Sequence, residues 1–240
     1  MKPLQLLIIL GSLAGFSSCY FEGSPFRGIT GQGPVVERKL ELDPIKGISI
    51  PGSAKIRLTQ GENQEVRVEG QENIIDNLNL AVTGDIWRIE GKQPVWQAEP
   101  LIIHITMETL RMVKISGSGT VTALNQFNDL RELELNISGS GSIDLDIAAR
   151  EVKGNISGSG TIILKGSADK IELGVSGSGG LQGSQFKTEE ASLRISGSGN
   201  MELAVSERLD ANISGSGSIF YYGNPRVDSR VSGSGRIKSR

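Results

Sequence analysis

The amino-acid sequence predicts an all-β chain folded as a right-handed parallel β-helix, a β-solenoid with Ser-Gly-Ser-Gly corners, and three observations carry that prediction. An apolar-Ser-Gly-Ser-Gly string occurs seven times, starting at residues 115, 137, 156, 175, 195, 213 and 231. The intervals of 22, 19, 19, 20, 18 and 18 residues are the period of stacked supersecondary units. Around each string apolar and polar residues alternate, as they do in a strand with one buried face. Leu133, Leu135, Ile137, Ile143, Leu145 and Ile147 share one parity; Glu132, Glu134, Asn136, Ser138, Ser140, Ser142, Asp144 and Asp146 share the other. The right hand follows from the general preference of parallel crossovers.

Taken from the N-terminus, residues 1–18 read as a secretory signal. Lys2 precedes an apolar run from Leu4 to Leu13 that is too short to span a bilayer, and small residues lead to Ser17-Ser18-Cys19. Small residues ahead of a cysteine resemble the lipobox of bacterial lipoproteins, in which the cysteine becomes the lipidated first residue; Phe16 stands where Leu is usual. Cys19 is the only cysteine, so no intramolecular disulfide competes for it, and lipid attachment is its expected role. A plain signal peptide cleaved nearby is the alternative. Residues 19–34, rich in Gly, Ser and Pro, form a tether. The expected address is the bacterial cell envelope, outer membrane or periplasm-facing, with the membrane as a partner through the lipid.

Residues 35–240 form the head, with degenerate coils over 35–112 and regular repeats over 113–240. Ile48, Ile50, Gly52, Ala54, Ile56 and Leu58 repeat the inward row with small residues at the two corner positions, which marks a first coil. Short strands follow at Val66 and Val68, Leu78 to Val82, Trp87 and Ile89, and Leu101 to Ile105, and Asn73 to Asn79 suits a short helical turn. In the regular repeats both corner glycines fall in the inward row, where a Cβ on the concave side of a bend would collide with its neighbours. The remaining turns, at Ala148–Glu151, Gly166–Lys170, Lys187–Glu190 and Gly223–Arg226, are expected as outer loops. On the last strand Arg236, Lys238 and Arg240 point outward, a charge device against edge pairing.

These residues resemble the head GIN domain family of auto-transporter adhesin heads, common in Bacteroidetes and without an assigned activity. The resemblance rests on Gly47-Ile48-Ser49-Ile50, Val66 to Gly70, Leu101 to Thr106 and the repeated Ile-Ser-Gly-Ser-Gly, and runs from about residue 35 to the end. It implies a β-helical domain behind a lipoprotein or secretion signal.

Charge is nearly balanced, with Lys+Arg 25 against Asp+Glu 27, and no basic patch argues for nucleic acid. No cofactor or metal is expected. His104 is the only histidine, outward on a strand between Ile103 and Ile105, so no Ser-His-Asp triad offers a choice of base. A calcium-binding repeat needs Asp two places after the second glycine, where this chain has Val121, Ile143, Ile162 or Leu181. A polysaccharide-active lyase or hydrolase on a β-helix is the rival class, and it needs carboxylates that converge. Asp144 and Asp146 are followed in later coils by Ile163 and Lys165, so no catalytic residue is assigned. Trp87 belongs to the core by parity, as does Tyr221, whereas Phe220 and Tyr222 point out. The reading is a non-catalytic binding or adhesin-like module whose contact residues are Trp96, Ser138, Ser140, Ser157 and Ser159, with envelope glycan or protein as partner.

Overall fold

The structure is a computed structural model that describes residues 28–240. It is a parallel β-solenoid. In chain order the N-terminal elements are β1 (Ile29–Thr30), β2 (Val35–Leu40), β3 (Gly47–Ile50), β4 (Lys55–Gln60), β5 (Glu65–Gln71), α1 (Glu72–Asp76), β6 (Val82–Thr83), β7 (Ile86–Arg88), β8 (Val95–Gln97) and β9 (Ile102–Met107). The repeats supply β10 (Met112–Ile115), β11 (Thr120–Ala123), β12 (Phe127–Gly139), β13 (Ser142–Gly158), β14 (Thr161–Gly177), β15 (Gly180–Gly197), β16 (Asn200–Gly215), β17 (Ser218–Tyr222), β18 (Arg226–Gly233) and β19 (Arg236–Ser239).

Parallel register stacks like on like. Ile50, Ile115, Ile137, Ile156, Val175, Ile195, Ile213 and Val231 form one column, running coil to coil. All but the last are buried. Each buried aliphatic side chain contributes about 1.5–3 kcal/mol, so a coil gains its stability from the coil on either side of it. The first coil is β3 and β4: Ile50 pairs with Ile115 and Lys55 with Thr120, which sets Gly52 and Ala54 against Gly117 and Gly119.

Two features depart from the sequence expectation. The outer turns at Ala148–Glu151, Gly166–Lys170 and Lys187–Glu190 are not free loops. There β13, β14, β15 and β16 run on in parallel pairing, and the uneven repeat lengths are absorbed by register shifts between Ile163 and Lys165, Gly183 and Lys187, and Thr188 and Glu190. Pairing satisfies backbone groups that a loop would leave to water. The 22-residue first interval is pinned differently: Asn125 Oδ1 accepts from the Gln60 amide at 2.8 Å, and Gln60 Oε1 accepts from the Asn128 amide at 2.9 Å.

The N-terminal region is also not a simple run of parallel coils. β7 and β9 follow β3 and β4 in the chain but stack outside them, as the end layer. Antiparallel strands then close that layer, β6 against β7 and β5 against β9, with β2 against β5. The chain crosses back to β10 through Leu110, which is buried. Helix α1 starts one residue earlier than expected and plugs the core with Ile74 and Ile75. Five residues do not hold a helix by propensity, so packing holds this one.

Candidate functional site: the serine ridge and its flanks

At each corner the backbone bonds only to the coils above and below. The amides of Ser140, Ser159, Ser178, Ser198 and Ser216 donate to the first-glycine carbonyl of the coil before, at 2.9–3.1 Å. The residue after each corner does the same to the second glycine; Thr161, for example, donates to Gly141 at 3.1 Å. From Gly119 to Gly217 the second glycine is buried as parity expects, and a Cβ on Gly141 would stand 2.6 Å from Ile115 Cγ2. The first glycine is not in the core. From Gly139 to Gly233 it has φ of +118 to +130, and a Cβ on Gly158 would sit 2.6 Å from the Gly139 carbonyl oxygen. Both positions need glycine, one against the core and one against the neighbouring backbone.

This geometry leaves the serine hydroxyls unused. Ser138, Ser157, Ser176, Ser196, Ser214 and Ser232 stack in register, and Ser140 and Ser159 belong to a second column two residues on. All four predicted serines are exposed. Among the described residues no corner hydroxyl joins a side-chain hydrogen bond; the serine that does, Ser206, lies elsewhere. The result is a ridge of donors and acceptors along the solenoid.

Grooves run on both sides of the ridge where glycine replaces the outward residue next to a corner, at Gly174 and Gly180. The groove beside Gly174 is about 460 Å³ and presents Asn155, Arg194, Asn212 and Arg230. The groove beside Gly180 is about 510 Å³ and presents Gln182, Asn200, Glu202, Phe220 and Arg240. In the latter the Tyr222 hydroxyl donates to Glu202 Oε1, Arg240 donates to the same oxygen at 2.8 Å, and the Arg240 guanidinium lies 4.0 Å over the Phe220 ring. Phe220 and Tyr222 point out and Tyr221 packs on the core, as parity requires. The return of Arg240 onto Glu202, 38 residues away, carried no sequence signal.

The carboxylates are interleaved with cations. Lys153 reaches Glu132 at 2.7 Å and Glu151 at 3.2 Å, and Lys170 reaches Glu172 at 2.6 Å and Glu151 at 3.8 Å. The Glu132 carboxylate holds Lys153 above its ordinary pKa, Glu172 does the same for Lys170, and Lys170 holds Glu172 below the usual carboxylate range. Asp144 faces Lys165 at 3.8 Å, and Gln126 donates to Asp146 at 2.9 Å. Among the described residues no three His, Asp or Glu side chains gather where a metal could sit.

His104 faces outward and contacts Glu69 Oε1 at 2.6 Å, a partner the sequence did not announce. Trp96 is 74% exposed on β8, within the excursion from Ile89 to Leu101 that replaces a corner in the end layer. Cys19 lies outside the described residues.

A family model described as "Putative auto-transporter adhesin, head GIN domain" matches residues 45–225. The chain belongs to the head GIN family. This head GIN domain resembles a putative adhesin from Bacteroides fragilis NCTC 9343, with a TM-score of 0.83 at 22% identity, over 89% of this chain and 100% of that one. A putative lipid binding protein and a putative adhesin, both from Parabacteroides distasonis ATCC 8503, each give a TM-score of 0.71, at 23% and 22% identity, over the same shares. At such identities the likeness shows the fold. No curated protein matches the chain. The resemblance in Gly47 to Ile50, Val66 to Gly70, Leu101 to Thr106 and the Ser-Gly-Ser-Gly strings is thus borne out, and so is the solenoid.

Proposed function

We propose that this head GIN domain is a non-catalytic, adhesin-like binding module, held at the bacterial envelope by a lipid on Cys19, which presents its serine ridge to a glycan. The observation that carries this reading is the unused hydroxyl array: corner backbone groups are satisfied coil to coil, which frees Ser138, Ser140, Ser157 and Ser159 for an outside partner. Amides and charged side chains in the two grooves add donors and acceptors suited to hydroxyl-rich ligands. The pairing of Glu132, Glu151 and Glu172 with lysines weighs against acid and base chemistry on this face.

A glycan array probed with the mature chain tests the binding role. Wild type should retain a defined glycan class, and Ser138→Ala/Ser140→Ala/Ser157→Ala/Ser159→Ala should weaken it at least several-fold with the melting temperature nearly unchanged. Binding that survives the fourfold variant overturns the ridge. Capture of a protein in place of any glycan overturns the ligand class. Labelled fatty acid in cells tests the anchor: Cys19→Ala should abolish incorporation, and unchanged labelling refutes it.

A further inference from the structure

We infer that the capped end of the solenoid is a membrane-docking face, with Trp96 seated at the lipid headgroup level beside the anchor. The inference rests on the proposed lipid at Cys19. Four of the exposed large apolar side chains belong to this end: Val35 at 50%, Val36 at 36%, Val95 at 44% and Trp96 at 74%. An exposed Trp is costly to leave in water, and its amphipathic ring prefers an interface that is apolar on one side and wet on the other.

The segment bearing Trp96 is built to hold the ring out. β1 pairs with β8, Ile29 against Val95, and the amides of Ile29 and Gly31 donate to Pro94 and Gln97 at 2.8 and 2.7 Å. Two buried polar side chains clamp the excursion from behind. Asn77 exchanges hydrogen bonds with the Gln93 backbone at 2.9 and 3.0 Å, and Gln71 accepts from the Glu99 amide at 3.0 Å while donating to the Gly33 carbonyl at 3.1 Å. A ring that merely filled the core would be buried, as Trp87 is.

The occupant is set by where the chain enters. Gly28 abuts the Trp96 backbone, so closely that a Cβ on Gly28 would stand 2.9 Å from the Trp96 main-chain nitrogen. The nine peptide links from Cys19 to Gly28 span at most about 32 Å when extended, so a bilayer holding the lipid lies within reach of the cap and no other part of the domain is closer along the chain. Tethering raises the effective concentration of the face at the bilayer, so a weak intrinsic preference suffices. Cations do not prevail on this end: Lys92 and Glu99 offset each other on the Trp96 segment, and beside Val35 and Val36 Arg38 bridges Asp76 at 2.7 Å and Arg67 bridges Glu37 at 3.1 Å. Docking is therefore by interfacial insertion, and it is insensitive to salt.

The chain has two tryptophans, one of them fully buried, so emission changes report Trp96. Its lone cysteine allows the purified mature chain to be coupled through Cys19 to a maleimide lipid in neutral phosphatidylcholine vesicles, which bypasses cellular lipidation. Coupling should shift the emission to the blue and let brominated lipids quench it, equally at low and high salt, and Trp96→Ser should remove both signals while the fold is retained. Emission that keeps its solvent-exposed position after coupling overturns the docking face. A signal that vanishes at high salt also overturns it, since charge would then be the cause. Fatty-acid labelling in cells that is unchanged by Cys19→Ala would refute the anchor and leave this vesicle result standing by itself.

Discussion

At the N-terminal end β7 lies between β3 and β6 and β9 between β4 and β5, whereas at the C-terminal end β18 and β19 each have one partner, β16 and β17. Core positions follow suit: Ile75 and Trp87 are buried under the cap, while Val227 and Val231 are exposed at 37% and 45% in the last coil. One end is closed by chain that does not carry the repeat, and the other by charge. Arg226, Arg230, Arg236 and Lys238 line the open strands with Asp228 as their one acid, a pattern that discourages another copy from adding a strand. Nearest-neighbour stacking implies that the same substitution costs more in the middle or under the cap than at the open end.

The largest contrast is at the corners. Gly158→Val introduces a Cβ at φ +119 and 2.6 Å from the Gly139 carbonyl, with coils on both sides, and should abolish the cooperative thermal transition. Gly233→Val meets the same strain at φ +118 against Gly215, but only the last coil can fray, so the main transition should persist. Ser157→Ala, on the exposed side of the same corner, should change stability by less than about 1 kcal/mol. Equal loss from the two glycine variants in a melt would break the comparison.

Next comes the core. Ile75→Ala should cost about 2–5 kcal/mol in urea titrations, because it opens a cavity beneath the cap. Val231→Ala should cost less than about 1 kcal/mol. The edge charges follow: Arg236→Thr/Lys238→Thr should raise concentration-dependent oligomers in sedimentation, most at low salt. Arg240→Thr should not, since Arg240 folds back onto Phe220 and Glu202 and leaves the edge.

The repeat, the two faces and the first coil were legible because parity and period act locally: Ile50-Pro51-Gly52-Ser53-Ala54 announces its corner whatever it stacks on. Which layer lies next to which was not. Periodicity places Trp87 and Ile103 inward, but nothing in it says that β7 and β9 stack outside β3 and β4, or that β5 pairs antiparallel to β9. The ridge was visible in the serines themselves. Its flanking grooves depended on single glycines, Gly174 and Gly180, and on Arg240 meeting Glu202, contacts set by stacking and chain return.

The smallest expected effect is in the charge ladder. Lys153 and Lys170 have raised folded pKa values, so their contribution is complete below about pH 10.4 and is lost as pH rises through those values. Glu172 is lowered, so its contribution is present above about pH 4.3 and is lost as pH falls through its folded value. These groups are well exposed and screened by solvent, and Lys170→Gln should leave stability at pH 7 nearly unchanged while flattening both limbs.

Residue-resolved hydrogen exchange on a sample shown to be monomeric tests the unequal ends most directly, because chemically equivalent bonds occur at both. The amides of Ser159 and Ser178, donating to Gly139 and Gly158 at 2.9 and 3.0 Å, should exchange only with global unfolding, and those of Lys55 and Gly61, donating to Leu101 and Met107 at 3.0 Å near the cap, should be nearly as slow. The amides of Gly235 and Arg236, donating to Gly215 and Gly217 at 3.0 and 3.1 Å in the last coil, should exchange orders of magnitude faster through local fraying. Equal protection of Gly235 and Ser159 would contradict a solenoid that is capped at one end and open at the other.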